Sequence, residues 1–273
     1  MNIISAIVLG IAQGLTEFLP VSSSGHLVLL QKIFGITEPA LFFDTMLHTG
    51  TLLAVFIVLW RDIWNILRRI IQPLTGFLIL ATIPAVAAAL FLGDIIEEAF
   101  ESGRFLGLCF LVTTALLVTA EILSKRADAG NSLKKAEDMN WLDALLIGIM
   151  QAIAIAPGIS RSGATISGAL SRKLDRDFAA RFSFLLSIPA ILGAVVLQTV
   201  KLFKGGAAAE IAGESVGTAA IIAGTLSAAI VGFFAVKLML KIIRERSLYG
   251  FAIYTAVIGI LVLVDQFATH LVF

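Results

Sequence analysis

The sequence predicts an all-α integral membrane protein with an inverted-topology repeat, each half being one re-entrant helix-turn-helix followed by three transmembrane helices. Three observations carry that expectation. Of 273 residues, 59% are hydrophobic and 14% charged, with a mean hydropathy of +0.99, whereas soluble domains carry about 25% charged residues. Apolar runs near the length needed to cross a bilayer recur along the chain. Short motifs also recur, in order and at nearly constant spacing, as duplicated transporter-like folds do. The composition excludes a water-soluble globule. The net charge of +1 leaves no broad basic surface, so no nucleic-acid partner is expected. Cys109 is the single cysteine and excludes both an intrachain disulfide and a Cys-based zinc site.

The first apolar stretch, running to Leu30, is interrupted by Glu17, Pro20, three serines and Gly25. Its N-terminus lacks the basic region of a signal peptide, so the stretch is expected to stay in the mature protein. Thr45–Leu59 follows, preceded by Asp44 and containing His48, then Phe77–Leu92 and Phe105–Ala120. Ala144–Ser160 opens the second half and is broken at Pro157; Phe182–Val200, Ser215–Val236 and Ser247–Val264 complete it. The duplication is explicit. Gly10-Ile11-Ala12-Gln13 returns as Gly148-Ile149-Met150-Gln151, and Ser22-Ser23-Ser24-Gly25 as Ser160-Arg161-Ser162-Gly163, both 138 residues on. Thr82-Ile83-Pro84-Ala85 resembles Thr225-Leu226-Ser227-Ala228, and Phe105-Leu106-Gly107 resembles Leu248-Tyr249-Gly250, both 143 residues on. Residues 1–273 therefore read as one membrane domain with repeats at about 1–125 and 138–273.

Segments broken by Pro, Ser and Gly suit helix pairs that re-enter the membrane, and irregular backbone at that depth must be buried in protein or line a cavity. If those pairs do not cross, three crossings per half turn the second half upside down. The distribution of Lys and Arg tests this. Fifteen of the twenty fall in segments 61–76, 124–140, 171–181 and 237–247, which share one side in this topology; Lys32, Arg104, Lys201 and Lys204 fall on the other. The basic side is assigned to the cytoplasm and both termini to the outside, with the first re-entrant pair entering from outside and the second from inside.

Arg161 is then the one cation at membrane depth. Insertion scales set its cost at roughly 2.5–3.5 kcal/mol, so it should face a cavity and an anionic partner. Pro157-Gly158-Ile159-Ser160-Arg161-Ser162-Gly163-Ala164-Thr165 is a small-residue turn opening a helix, where N–H groups, hydroxyls and a guanidinium fork converge on an oxyanion such as phosphate. The other turn, Glu17 to His26, offers a carboxylate, the hydroxyls of Ser22, Ser23 and Ser24, and an imidazole, a set sufficient for nucleophilic or acid–base chemistry. Glu17 is read as a metal ligand or an activator of a hydroxyl, and His26 as a general acid, nucleophile or packing group. Gln13 shares a helix face with Glu17 and binds substrate or caps backbone. Asp44 and His48 share a face too, with Ser183 and Ser187 as their repeat mates; a shaping role is expected for them. The acidic cluster of Asp94, Glu97, Glu98 and Glu101 reads as a solvated loop.

Gln13-Gly14-Leu15-Thr16-Glu17 with Ser22-Ser23-Ser24-Gly25-His26, together with Pro157 to Thr165, resembles the undecaprenyl pyrophosphate phosphatase family linked to bacitracin resistance. The resemblance covers essentially the whole chain, and the family patterns E/Q-x-x-x-E and P-G-x-S-R-S-x-x-T are both satisfied. It implies a hydrolase of the bacterial plasma membrane that converts undecaprenyl diphosphate to the monophosphate for peptidoglycan synthesis, with Mg²⁺ or Ca²⁺ as cofactor held at Glu17. Position 13 takes the Gln option, leaving Glu17 the one carboxylate of the pair. The resemblance suggests Ser23 as nucleophile, with Glu17 or His26 taking its proton; His26 itself and metal-activated water are the alternatives. Arg161 would hold the phosphoryl oxygens, aided by Gln13, Ser22, Ser24, Gly25, Ser160, Ser162, Gly163 and Thr165. Implied partners are the polyprenyl diphosphate and membrane lipids, with a homodimer left open and the site facing outward. The rival expectation is a polyprenyl-phosphate transporter or flippase using the same midplane site.

Overall fold

The computed structural model describes residues 1–36, 41–130, 132–204 and 216–273; side chains at 41, 94, 97, 101, 198, 199 and 201–204 fall outside the description. Lys201 and Lys204, and Asp94, Glu97 and Glu101 of the acidic cluster, therefore lie outside it as side chains. Helices make up the described chain, and no strand forms among the described residues. Helix α1 spans Ile3–Thr16, capped by the Asn2 side chain, which accepts from the Ser5 N–H at 2.7 Å. Pro20, which has no N–H to donate, sits in the turn after it. Helix α2 follows at Ser23–Ile33, α3 at Leu41–Val58 and α4 at Trp60–Arg68. Helix α5, Pro73–Ser102, starts on a proline suited to its first turn and ends at Gly103, whose φ of 61° is left-handed. Helix α6 is Leu106–Ala129. Helix α7, Trp141–Ile153, opens with a capping box between Asn140 and Asp143. The rest are α8 at Arg161–Ser171, α9 at Arg176–Lys204, α10 at Thr218–Glu245 and α11 at Tyr249–Val264.

Five of these helices are long and apolar enough to cross a bilayer, and α3 with α4 makes a sixth if that bent pair is one span. The protein is a multi-pass membrane protein. The six coincide with the plain apolar runs expected from the sequence. Helices α1 and α7, 14 and 13 residues long, fall short of the roughly 20 residues a crossing needs. Three details differ from expectation. The Thr45–Leu59 run begins earlier, at Leu41, and bends by 78° at Leu59 into α4, an amphipathic helix inside the segment expected as a basic connection. Helix α5 runs ten residues beyond Leu92, through Asp94 and Glu98, because helix propensity outlasts the apolar run. Ala144–Ser160 is broken as expected, but its first helix stops at Ile153, four residues before Pro157.

Helix α1 packs along α10, α7 along α5, α6 along α11, and α3 crosses α9. Small residues permit these approaches, as membrane helix contacts require. A Cβ on Gly10 would overlap the Gly224 carbonyl, and one on Gly148 would overlap the Ala81 carbonyl. The main apolar core gathers Phe18, Leu117, Ile147, Ile166, Phe182 and Phe184 around the inner ends of α1 and α8. Ion pairs tie the four basic segments into one end of the molecule. Arg181 meets Asp62 and Asp177 at 2.9 and 3.0 Å, and Arg244 meets Asp177. Lys134 and Arg172 grip buried Asp143, and Arg176 grips buried Glu121.

Candidate active site

Two turns meet in the core. After α1, the chain reverses through Phe18–Val21 and reaches Ser22 with φ at 71°, a backbone conformation costing about 1–3 kcal/mol in a non-glycine residue. Ser22 caps α2: its Oγ accepts from the Gly25 N–H at 3.2 Å. Ser160 caps α8 in the same way, accepting from the Gly163 N–H at 3.0 Å. The turns touch directly, for Ser162 Oγ donates to the Leu19 carbonyl at 3.0 Å and the Gly158 N–H donates to Ser24 Oγ at 3.5 Å. A Cβ at Gly25 would meet Gly158 and the Phe110 ring, so glycine is required where the turns close on each other. Gly158 has φ at 95°, and Thr113 of α6 locks it: Thr113 Oγ1 donates to its carbonyl at 3.1 Å and accepts from the Ser160 N–H at 3.0 Å.

Glu17 lies where the turns meet, buried and fully engaged. Its Oε1 accepts from Arg161 Nη2 at 2.6 Å, while Oε2 accepts from Ser23 Oγ at 2.6 Å and from Gln13 Nε2 at 2.9 Å. His48 Nδ1 stands 2.9 Å from Gln13 Nε2 and 3.4 Å from Glu17 Oε2. Arg161 also donates through Nη1 to the Ser183 carbonyl at 3.2 Å, and its side chain is 17% exposed. The guanidinium thus has an anionic partner in Glu17. One carboxylate joins a hydroxyl to a cation, so a proton leaving Ser23 has an acceptor in contact and an anion on Ser23 has a counter-charge nearby.

The remaining expected residues divide. His26 is close in sequence but turned elsewhere: Nδ1 donates to the Ser22 carbonyl at 2.7 Å, and Nε2 accepts from Tyr254 Oη at 2.8 Å. Its ring stacks on Tyr254 and meets Phe110 edge-on. Ser160, Ser162 and Thr165 are buried and spend their hydroxyls on the turn; Thr165 Oγ1 donates to the Arg161 carbonyl at 2.8 Å and pairs with Ser183 Oγ at 2.6 Å. Ser24 lies 3.3 Å from Ser22 Oγ. Asp44 accepts from Gln31, a shaping contact, whereas His48 reaches Gln13 and Glu17 themselves. Sequence reasoning missed Thr113 and Tyr254. One signal was present, since the chain holds only two tyrosines and Tyr254 lies within an apolar span, where a phenolic O–H needs a partner.

A divalent cation fits this donor set in one way. Among the described residues no three His, Cys, Asp or Glu side chains cluster as a protein-only metal site. Gln13 Oε1, however, is buried and without a partner, on the amide whose Nε2 donates to Glu17. Hard oxygens of that kind, one carboxylate and one amide, suit Mg²⁺ or Ca²⁺ when substrate phosphate supplies the other ligands.

Fold and site together define a multi-pass α-helical membrane protein with a buried carboxylate–hydroxyl–guanidinium cluster where two short-helix turns meet. The chain belongs to the family described as bacitracin resistance protein BacA, whose model matches residues 6–261. Undecaprenyl-diphosphatase 3 of Bacillus cereus is 47% identical over 267 residues, covering 98% of each chain. Undecaprenyl-diphosphatase of Carboxydothermus hydrogenoformans is 45% identical over 98% of this chain and 99% of its own. That of Methanosphaera stadtmanae is 39% identical over 97% and 98%.

Proposed function

We propose that the chain is an undecaprenyl-diphosphatase: a membrane hydrolase that converts undecaprenyl diphosphate to undecaprenyl phosphate and inorganic phosphate. That reaction returns the lipid carrier to peptidoglycan synthesis and opposes bacitracin. The observation that carries this reading is Glu17 held between Ser23 and Arg161 by two contacts of 2.6 Å. A carrier would need the cation, but has no use for a carboxylate aligned on a hydroxyl.

In the mechanism, the diphosphate enters where the turns meet and its oxygens compete with Glu17 for the Arg161 fork. Drawing Arg161 toward phosphate leaves Glu17 less neutralised and more basic, so substrate binding itself arms the base. Ser23 Oγ attacks the terminal phosphorus as its proton passes to Glu17; the Oγ–P bond forms and the bond to the bridging oxygen breaks, releasing undecaprenyl phosphate. Arg161 compensates the charge on the equatorial oxygens. Glu17 passes that proton to the departing phosphate oxygen, and the freed carboxylate then deprotonates the water that attacks the phosphoserine phosphorus, so that the P–Oγ bond breaks, inorganic phosphate leaves and Ser23 recovers its proton. The engagement of both His26 ring nitrogens favours Ser23 over His26 as nucleophile. Glu17 and Gln13 Oε1 would hold Mg²⁺ or Ca²⁺, which when bound supplies charge neutralisation to the diphosphate.

The architecture we propose is an inverted repeat with α1–α2 and α7–α8 re-entrant. Its support lies in the matched caps at Ser22 and Ser160, in the reciprocal packing of α1 on α10 and α7 on α5, and in the basic segments gathered at one end. The positive-inside rule then puts that end in the cytoplasm, both termini outside, and the Glu17-to-His26 turn on the outer route to the site. The test is phosphate release from undecaprenyl diphosphate by the purified chain, beside Ser23→Ala and Arg161→Ala. Release by the parent, lost in both variants, supports the reading. No release by the parent, with counterflow of a lipid phosphate in vesicles, overturns it in favour of a carrier.

A further inference from the structure

We infer that helix α4 and the turn into α5 bind an anionic phospholipid of the leaflet at the basic end of the molecule. Helix α4 leaves α3 at 78°. With α3 crossing the bilayer, α4 runs along the membrane surface. Its residues sort into three faces. Ile63 is buried and Ile66 packs on the core, so these two hold the helix to the protein. Trp60, Trp64 and Leu67 recur at helical spacing as an exposed apolar stripe, and the two indoles stack with centroids 5.4 Å apart. Trp favours the level where acyl chains meet head groups. Arg61 and Arg68 follow Trp60 and Leu67 by one residue each, which sets both guanidiniums along one border of that stripe.

The charge on this face is open. Arg61, Arg68 and Arg69 are exposed, and among the described residues none of them forms an ion pair. Arg68 instead lies over the Trp64 ring, 5.0 Å from its centroid. Asp62, the one acidic residue of α4, is engaged by Arg181 of α9 at 2.9 Å. Three guanidiniums without a carboxylate suit a phosphate ester. Basic residues beside an interfacial apolar stripe draw anionic lipid to it.

The next turn supplies room for both ends of such a lipid. A cavity of about 420 Å³ follows Arg69, with Ile70, Ile71, Gln72, Pro73, Thr75 and Ile79 in its lining. Gln72 Nε2 and Thr75 Oγ1 are buried without a hydrogen-bond partner, and a buried donor left unpaired is costly. Thr75 and Ile79 also line an apolar groove of about 700 Å³ that follows α5 as far as Phe91, with Ile63, Ile66 and Leu67 of α4 along it. Cavity and groove therefore adjoin at the start of α5. A phosphate held by Arg68, Arg69, Gln72 and Thr75 has the path of an acyl chain beginning beside it. Free phosphate would leave the groove and the Trp stripe uncovered, and a zwitterionic lipid would bring an ammonium to the guanidiniums.

The experiment uses the full chain in phosphatidylcholine nanodiscs, on a Trp141→Phe background so that Trp60 and Trp64 are the fluorescent reporters. Brominated phosphatidylglycerol should quench them more than the same fraction of brominated phosphatidylcholine, by a preference of about fivefold or more. Arg61→Gln, Arg68→Gln and Arg69→Gln combined should abolish that preference, whereas the three corresponding Lys substitutions should keep most of it. Gln72→Leu with Thr75→Val, which leaves every arginine in place, should lower it about twofold or more. Inorganic phosphate in excess should not displace the brominated lipid. Equal quenching by the two lipids, a preference that survives the Gln variant or the Leu/Val variant, or displacement by inorganic phosphate each overturns the proposal, the last assigning the guanidiniums to a soluble anion. Quenching by neither lipid overturns it as well, since a second copy or another protein would then cover α4. None of these residues belongs to the reacting cluster, so the outcome is independent of phosphate release.

Discussion

Ser22 caps one helix and Ser160, 138 residues later, caps another, each accepting from the glycine three residues on at 3.2 and 3.0 Å. In both turns the first and third serine hydroxyls stand 3.3 Å apart. Between those serines the turns part company: Ser23 in the first, Arg161 in the second. Glu17 corresponds to Ile155, His26 to Ala164 and His48 to Ser187. The shared residues are the ones that hold backbone, and the differing ones are those that hold or move charge. On the proposed reading, the two turns share a scaffold and differ in chemistry, with base and nucleophile on one and the cation on the other.

The comparison breaks most sharply at its centre. Ser23→Ala removes the attacking oxygen, and Arg161→Ala leaves Glu17 without its cation; each should lower phosphate release by about 10³-fold or more, roughly 4 kcal/mol of barrier. Arg161→Lys should recover little, because an ammonium cannot hold Glu17 and phosphate in one planar fork. Activity near the parental level in Ser23→Ala would transfer the nucleophile to His26 or water. Glu17→Gln keeps the shape and removes the base, for an expected loss of about 10²–10⁴-fold. Ile155→Glu, which moves the carboxylate to the matching position of the second turn, should not rescue it, since position 155 lies on the cation's own side. Rescue would show that the turns are interchangeable.

A finer contrast lies in the paired glutamines. Gln13 donates to Glu17, while Gln151, its repeat mate, is buried with neither amide atom partnered. Gln13→Leu should weaken cation binding about 10–100-fold, as loss of a supporting metal contact does, read by titrating Mn²⁺ and following its paramagnetic signal. Gln151→Leu should leave that titration unchanged. It should also be neutral or stabilising in thermal unfolding, because an unpaired buried amide costs about 1–3 kcal/mol. A loss of cation binding in Gln151→Leu would mean that the second half contributes to the ion site.

Much of this was legible before any coordinates, and the reason is physical. Apolar runs are dictated by bilayer thickness, so all six plain spans could be read, and the turns announce themselves through Pro20, Pro157 and their serines. The Arg161 partner followed from the cost of an isolated cation at depth. The bend at Leu59 was not legible, since no Pro or Gly marks it and α4 turns on packing of an amphipathic face. His48 looked like a shaping residue because its distance from Glu17 depends on how α3 lies against α1, which no spacing along one helix reports.

The smallest expected effect concerns His26, the side chain near the site that faces away from it. Tyr254 Oη donates to Nε2 while Nδ1 donates to the Ser22 carbonyl, so the phenol fixes which nitrogen carries the proton and holds the ring against α2. Tyr254 is 43% exposed, so its hydroxyl is not deeply buried, and one neutral hydrogen bond contributes about 0.5–1.5 kcal/mol. Tyr254→Phe keeps the stacked ring and removes only that bond. If His26 is a positioning group that steadies the strained Ser22 backbone, the variant should lose a few-fold in kcat with KM unchanged, and His26→Gln, which can still donate to the Ser22 carbonyl, should retain a measurable fraction of activity. If His26 transfers protons, Tyr254→Phe should instead displace the pH–rate profile, and His26→Gln should fall to the level of Ser23→Ala. The pH profile of Tyr254→Phe therefore separates a ring that supports the first turn from one that acts in it.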